Sequence, residues 1–151
     1  RNILVLSLLL TTSCGFKVLD KNELNNFSFN KITTSGDKRV NFKIKNKLMS
    51  QSKPDNENQV LISIFSQKNR TIKEKNIKNE ITKYNLDLIA EGEFKLKNDE
   101  KRFKFSIKVS GYYIVADNYS ATLSNEKNLL DNLVDELSEK ILNEINFTLN
   151  K

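Results

Sequence analysis

The sequence predicts an α+β fold: a two-layer sandwich with two helices on one face of a four-stranded mixed or antiparallel sheet, in the order β-α-β-β-β-α. Two neighbouring segments, residues 84–97 and 102–116, alternate apolar and polar side chains, as half-buried strands do. A third segment carries Leu130, Leu133, Val134, Leu137, Ile141, Ile145 and Leu149 at spacings of three and four, the pattern of a long helix with one apolar face. An apolar helix face and an apolar sheet face need each other, and nothing in the 151 residues suggests a repeat or a second domain. A single domain is therefore expected over residues 27–151.

Each element has its own signal. Phe27-Ser28-Phe29-Asn30-Lys31-Ile32 alternates and predicts the first strand. Ser35-Gly36-Asp37 reads as a turn with Asp37 as a helix N-cap. Val40, Ile44 and Leu48 recur every four residues, with Phe42 and Met49 nearby, and predict a first helix of about three turns. It should stop before Lys53-Pro54-Asp55, because the residue preceding proline is disfavoured in helical backbone. The β-branched run Val60-Leu61-Ile62-Ser63-Ile64-Phe65 is the second strand. Residues 67–83 are polar and basic and read as a long connector. The third and fourth strands fold back about Asn98-Asp99-Glu100-Lys101. Pairing Leu96 with Phe103 sets Phe94 against Phe105, Gly92 against Ile107, Ala90 against Val109 and Leu88 against Gly111. Every apolar side chain then shares one face, which a slip by one residue would send to water. The small residues leave room for a helix to lie across the sheet. The last helix starts near Ser124 and runs about seven turns.

The first residues have a different character. Arg1, the apolar run Ile3 to Leu10 and the small residues Thr11-Thr12-Ser13 are the parts of a bacterial secretory signal peptide over residues 1–13. The run is too short to span a bilayer, which takes about 20 apolar residues. Cys14, the one cysteine of the chain, stands where cleavage falls, as in a lipobox. Acylation of its thiol, cleavage before it and N-acylation would leave a covalent diacylglycerol and N-acyl lipid on Cys14, with residues 14–26 as a tether. The place three before the cysteine holds Thr11, and the leucine usual there, Leu10, lies one step further back.

Composition narrows the chemistry. With no histidine and a single cysteine, zinc clusters, Cys-His nucleophiles and histidine acid–base catalysis are excluded. No paired carboxylates stand out from the solvated Asp and Glu, so no enzymatic activity is expected. The 25 Lys and Arg, less Arg1 after processing, face 19 Asp and Glu. That excess favours polyanionic partners, among which an exported protein meets acidic or phosphorylated lipids rather than nucleic acid. No aromatic ladder runs through the basic residues, and no glycine-rich phosphate loop is present.

Two basic groups stand out. On the outward face of the predicted hairpin are Lys95, Lys97, Arg102, Lys104 and Lys108, with Lys101 in its turn. The connector contributes Lys68, Arg70, Lys73, Lys75, Lys78 and Lys83, relieved only by Glu74 and Glu80. Exposed lysine is also the default for a bare sheet face, where it blunts edge pairing.

The residues resemble the LptE-type lipopolysaccharide-assembly lipoproteins, in their alphaproteobacterial branch. The likeness begins at Cys14-Gly15-Phe16-Lys17. It is strongest in Ser110-Gly111-Tyr112-Tyr113-Ile114-Val115-Ala116-Asp117-Asn118-Tyr119-Ser120-Ala121, followed by Glu126 and the long Leu/Ile helix. It implies an outer-membrane, periplasm-facing lipoprotein that plugs the LptD β-barrel, helps assemble it and offers lipopolysaccharide a binding surface without catalysing a reaction. Lipid A phosphates would then meet basic residues near the loop joining the second and third strands, here Lys73, Lys75 and Lys78, with Lys127 close by. Lys95, Lys97, Lys101, Arg102 and Lys104 form a secondary patch. Gly15, rather than Asp, is compatible with sorting to the outer membrane. A generic outer-membrane lipoprotein with a structural or adaptor role, and a carboxylate-dependent periplasmic hydrolase, are the alternatives.

Overall fold

The computed structural model describes residues 27–53 and 56–150. The segments 1–13 and 14–26, with Cys14, the expected lipidation site, lie outside the described residues. The elements are β1 (Ser28–Gly36), α1 (Lys38–Ser50), β2 (Gln59–Lys75), β3 (Ile81–Leu96), β4 (Phe103–Ile114) and α2 (Tyr119–Leu149), in the expected order. The strands lie side by side as β1-β2-β3-β4, with β1 parallel to β2 and the other two pairings antiparallel, so the sheet is mixed.

Phe27 and Phe29 enter the core with their rings edge to face, 5.2 Å apart. A bulge between Phe29 and Lys31 takes up Asn30 and returns Ile32 to the core side. The strand ends at Gly36, whose φ of 95° lies in the left-handed region that other residues avoid. Asp37 then caps α1, its carboxylate accepting from the backbone N–H groups of Arg39 and Val40 at 3.0 and 2.9 Å. Val40, Ile44 and Leu48 are fully buried, whereas Phe42 and Met49 face solvent.

The sheet presents Val60, Ile62, Ile64, Leu86, Leu88, Ala90, Phe94, Phe105 and Val109 to the helices, and α2 answers with Leu130, Leu133, Val134, Leu137, Ile141 and Ile145. Each buried aliphatic contributes roughly 1.5–3 kcal/mol against exposure. Two ion pairs, Lys43 to Asp131 at 2.5 Å and Lys47 to Asp135 at 2.9 Å, join the helices. Both partners advance by four residues between them, so α1 and α2 run parallel.

Three expectations are corrected. Residues 67–83 are no connector: β2 continues to Lys75 and β3 begins at Ile81, joined by a tight turn. Strand pairing needs a neighbouring backbone and not an apolar face, and β3 supplies that backbone for the polar stretch. The β3–β4 register is Phe94 with Phe103, Gly92 with Phe105, Ala90 with Ile107, Leu88 with Val109 and Leu86 with Gly111, two residues from the expected one. A shift by two preserves the faces and brings better partners together. Phe94 stacks on Phe103 at 5.4 Å, Tyr84 stacks on Tyr113 at 5.6 Å, and the tip of the Phe105 ring lies 3.0 Å from where a Cβ of Gly92 would stand. Finally, α2 starts at Tyr119 rather than near Ser124, because Asn118 accepts from the Ala121 N–H at 2.7 Å and the Thr122 hydroxyl accepts from the Ala116 N–H at 2.9 Å. Gly111 does make room for that helix, since a Cβ there would lie 2.6 Å from Leu129 Cδ1.

Candidate functional site

Ile114, the last residue of β4, pairs with Lys83, and one further bond runs from the Val115 N–H to the Thr82 carbonyl at 2.9 Å. Past that point β2 and β3 continue as a short two-stranded tip over residues 75–81; with its root beside the end of β4 it forms an arm in which every residue from Arg70 to Glu80 is exposed. Bulges at Lys73 and Thr82 twist the arm. Its tip is closed by Asn76 and Asn79. The Asn79 N–H donates to the Asn76 carbonyl at 2.9 Å, and the Asn76 N–H donates to the Glu80 carbonyl at the same distance. Asn79 adopts φ 64°, a conformation asparagine tolerates better than most residues. The Asn76 side chain accepts from the N–H groups of Lys78 and Glu80 and donates to the Glu80 carboxylate at 2.7 Å.

This arm carries three of the expected lysines. Lys73 lays its ammonium 3.8 Å from the centre of the Tyr112 ring, a cation–π contact. Lys75 donates to Asn79 Oδ1 at 2.9 Å, and Lys78 stands on the turn. Lys83 and Glu74 form a cross-strand ion pair at 2.6 Å. The hydrogen bond from Lys83, reinforced by one from Thr82, holds the Glu74 carboxyl below its ordinary range, and the same bond raises the Lys83 ammonium.

Lys127 does not join them. Its neighbour Glu126 meets Lys68 at 3.6 Å and Arg70 at 3.7 Å, which puts Lys127 level with Arg70, roughly 17 Å along the strand from Lys75 at 3.3 Å per residue.

Where the arm joins the body, the structure assembles a cluster that the connector reading hid. Tyr113 donates to Glu126 Oε2 at 3.2 Å, Lys68 and Arg70 flank the same carboxylate, and the Arg70 guanidinium lies 4.8 Å from the Tyr84 ring centre. Burial, with the negative Glu126 nearby, raises the Tyr113 hydroxyl, so it stays protonated and keeps donating. The even-numbered alternation Ile62, Ile64, Ser66, Lys68, Arg70 was the available signal: it carries the helix-facing side of β2 into its charged stretch.

The secondary patch takes a different form from the one expected. Lys95, Lys97, Lys101, Arg102 and Lys104 are not a uniform basic surface, because Glu93 of β3 and Glu100 of the following turn stand among them. Arg102 binds Glu93 at 2.7 Å, Lys95 approaches Glu100 at 3.8 Å, and Lys104 stands opposite Glu93 in the ladder. Lys97 donates to Gln59 at 3.0 Å, and Lys101 lies 5.0 Å from the Phe103 ring centre. Further along, Lys108 binds Asp87 at 2.8 Å, and that hydrogen bond, with one from Ser110, depresses the Asp87 carboxyl. The outward face is thus of mixed charge, and the basic excess concentrates on the arm.

Among the described residues, no three or more His, Cys, Asp or Glu side chains gather as metal ligands, and no helix is long and apolar enough to cross a membrane. The arrangement can hold anionic groups on an exposed basic finger.

No protein-family model matches the sequence, and no curated protein is significantly similar to it. Solved structures do match in fold. Rare lipoprotein B from Shewanella oneidensis superposes with a TM-score of 0.59 at 15% identity, over 79% of this chain and 96% of that one. Uncharacterized lipoprotein B from Nitrosomonas europaea gives 0.61 at 11%, over 83% and 88%. A candidate lipoprotein of Caulobacter crescentus gives 0.58 at 13%, over 86% and 94%.

Proposed function

We propose that this chain is an outer-membrane lipoprotein of the LptE type, held by an acylated Cys14, which assembles with an LptD-type β-barrel as its plug and offers lipopolysaccharide a basic surface. The observation that carries the reading is the exposed arm with Lys73, Lys75 and Lys78, projecting from a fold otherwise met in bacterial lipoproteins. Its ammonium groups act as point charges for lipid phosphate. The chain's part is to bind and to fit a partner, and no reaction is assigned to it.

Charge reversal on the arm tests the lipid part. Each lysine near an anionic lipid surface contributes about 1 kcal/mol, so Lys75→Glu with Lys78→Glu should weaken lipopolysaccharide binding at least about tenfold and flatten its salt dependence. The fold should be unaffected, since both residues are exposed. Unchanged affinity would remove the arm as the binding surface. Affinity isolation from detergent-solubilised outer membrane tests the partner: a large β-barrel should come with the chain, and its absence would leave a generic lipoprotein role. Metabolic labelling with fatty acid should be lost in Cys14→Ala.

A further inference from the structure

The arm's apex is apolar. Ile77 occupies the turn between Asn76 and Lys78 and is fully exposed, although turn positions ordinarily take Gly, Pro, Asn, Asp or Ser. Nothing of the described chain reaches it, because the arm has run past β4 and past both helices. Beside it on the turn stands Lys78, and Lys75, where β2 enters the turn, donates to Asn79 Oδ1 at 2.9 Å. Between residues 72 and 83 four lysines are opposed by two glutamates. Lys75 is the last residue of β2, two before Ile77 in the chain. Interfacially bound segments bury their apolar face about 5–10 Å deep, at the boundary between headgroups and acyl chains. An aliphatic tip flanked by ammonium groups complements an anionic lipid leaflet: acyl chains for the isoleucine and phosphates for the lysines.

We propose that the β2–β3 arm is a lipid-entering finger, in which Ile77 passes between the headgroups of an anionic leaflet into the acyl region while Lys75 and Lys78 stop at the phosphates. This rests on the reading that the arm's lysines meet lipid phosphate, and it adds an apolar contact which charge alone does not require. The Asn76 and Asn79 turn holds the apex ready, so little ordering is needed on entry.

The chain contains no tryptophan, so Ile77→Trp in this chain gives an emission that reports on the apex alone. On vesicles of equal parts phosphatidylglycerol and phosphatidylcholine the emission should shift to the blue and be quenched by lipids brominated on their acyl chains. On pure phosphatidylcholine the shift should be largely lost. Ile77→Ser, which leaves every charge in place, should weaken lipopolysaccharide binding about tenfold, as expected for losing the burial of one isoleucine. Its affinity for the acyl-free phosphorylated disaccharide should not change. Water-exposed, unquenched emission on anionic vesicles would overturn the finger and leave the apex to a protein partner. Adding Lys75→Glu and Lys78→Glu to the tryptophan variant separates the two ideas. A shift that survives sinks the phosphate reading and leaves apex entry standing, and a shift that disappears supports both.

Discussion

Strands β2 and β3 pass through two environments without changing partner. From Val60 to Ser66, β2 buries every second side chain beneath the helices, and from Arg70 onward it buries none. The backbone ladder runs through both regions, but what holds it changes. In the body, pairing is fixed by burial, because a slip would expose the apolar set. In the arm it is fixed by the Glu74–Lys83 ion pair and by the asparagine-closed turn. A two-stranded ribbon is marginal by itself in water. The arm therefore depends on the body for its order, and the body depends little on the arm. That asymmetry frees the arm's side chains to be chosen for contact rather than for packing.

The sharpest way to break the comparison is at the core. Leu137→Ala removes a fully buried side chain from α2 and should cost about 2–5 kcal/mol in chemical denaturation, the arm melting together with the body. An arm that stayed ordered in that variant would show that it does not lean on the core. A smaller effect is expected at the junction. Glu126→Gln keeps an acceptor for Tyr113 but removes the charge facing Lys68 and Arg70, and should cost about 1 kcal/mol or less. It should speed amide exchange in residues 68–83 while leaving residues 86–94 protected; uniform acceleration would contradict the division into two regions.

The least effect is expected from acid. Glu74 in the arm and Asp87 in the body both have carboxyl groups lowered by lysine partners. Their stabilisation is full above the ordinary carboxylate range and is lost as pH falls through the lowered folded values. Stability should stay flat from neutrality to about pH 5 and decline below it. Carboxyl carbon shifts should titrate below ordinary values at both residues, and an unshifted midpoint would show that the ion pair concerned is not held in solution.

Most of the fold was legible because burial leaves a period in the sequence. Val40, Ile44 and Leu48, the odd and even stripes of β4 and β3, and the Leu/Ile series of α2 all lie on the faces their spacing predicts. Register was harder, because periodicity cannot tell a pairing from one displaced by two residues; the choice fell to Phe105 over Gly92 and to the two aromatic stacks. The arm was hidden for the opposite reason. Its strands have no buried face, so they carry no apolar period, and a polar strand reads like a loop. Its lysines could be listed from the sequence, but not the separation of Lys127 from them, nor the pairing of Glu93 and Glu100 with the secondary patch. The expectation that Cys14 is acylated rests on the sequence alone.

The parallel run of α1 and α2 has an electrical consequence. Asp37, the cap of α1, lies against Ser66 on the arm side of the sheet, and α2 starts just past the Val115–Thr82 bond, so both helices point their N-termini toward the arm. Each N-terminus carries about half a positive charge from aligned peptide dipoles. Those partial charges add to the arm's ammonium groups at one pole, while the C-terminal ends of both helices lie at the other. The two helix dipoles thus reinforce the arm's positive charge instead of opposing it, and an anion approaching that end of the molecule meets both.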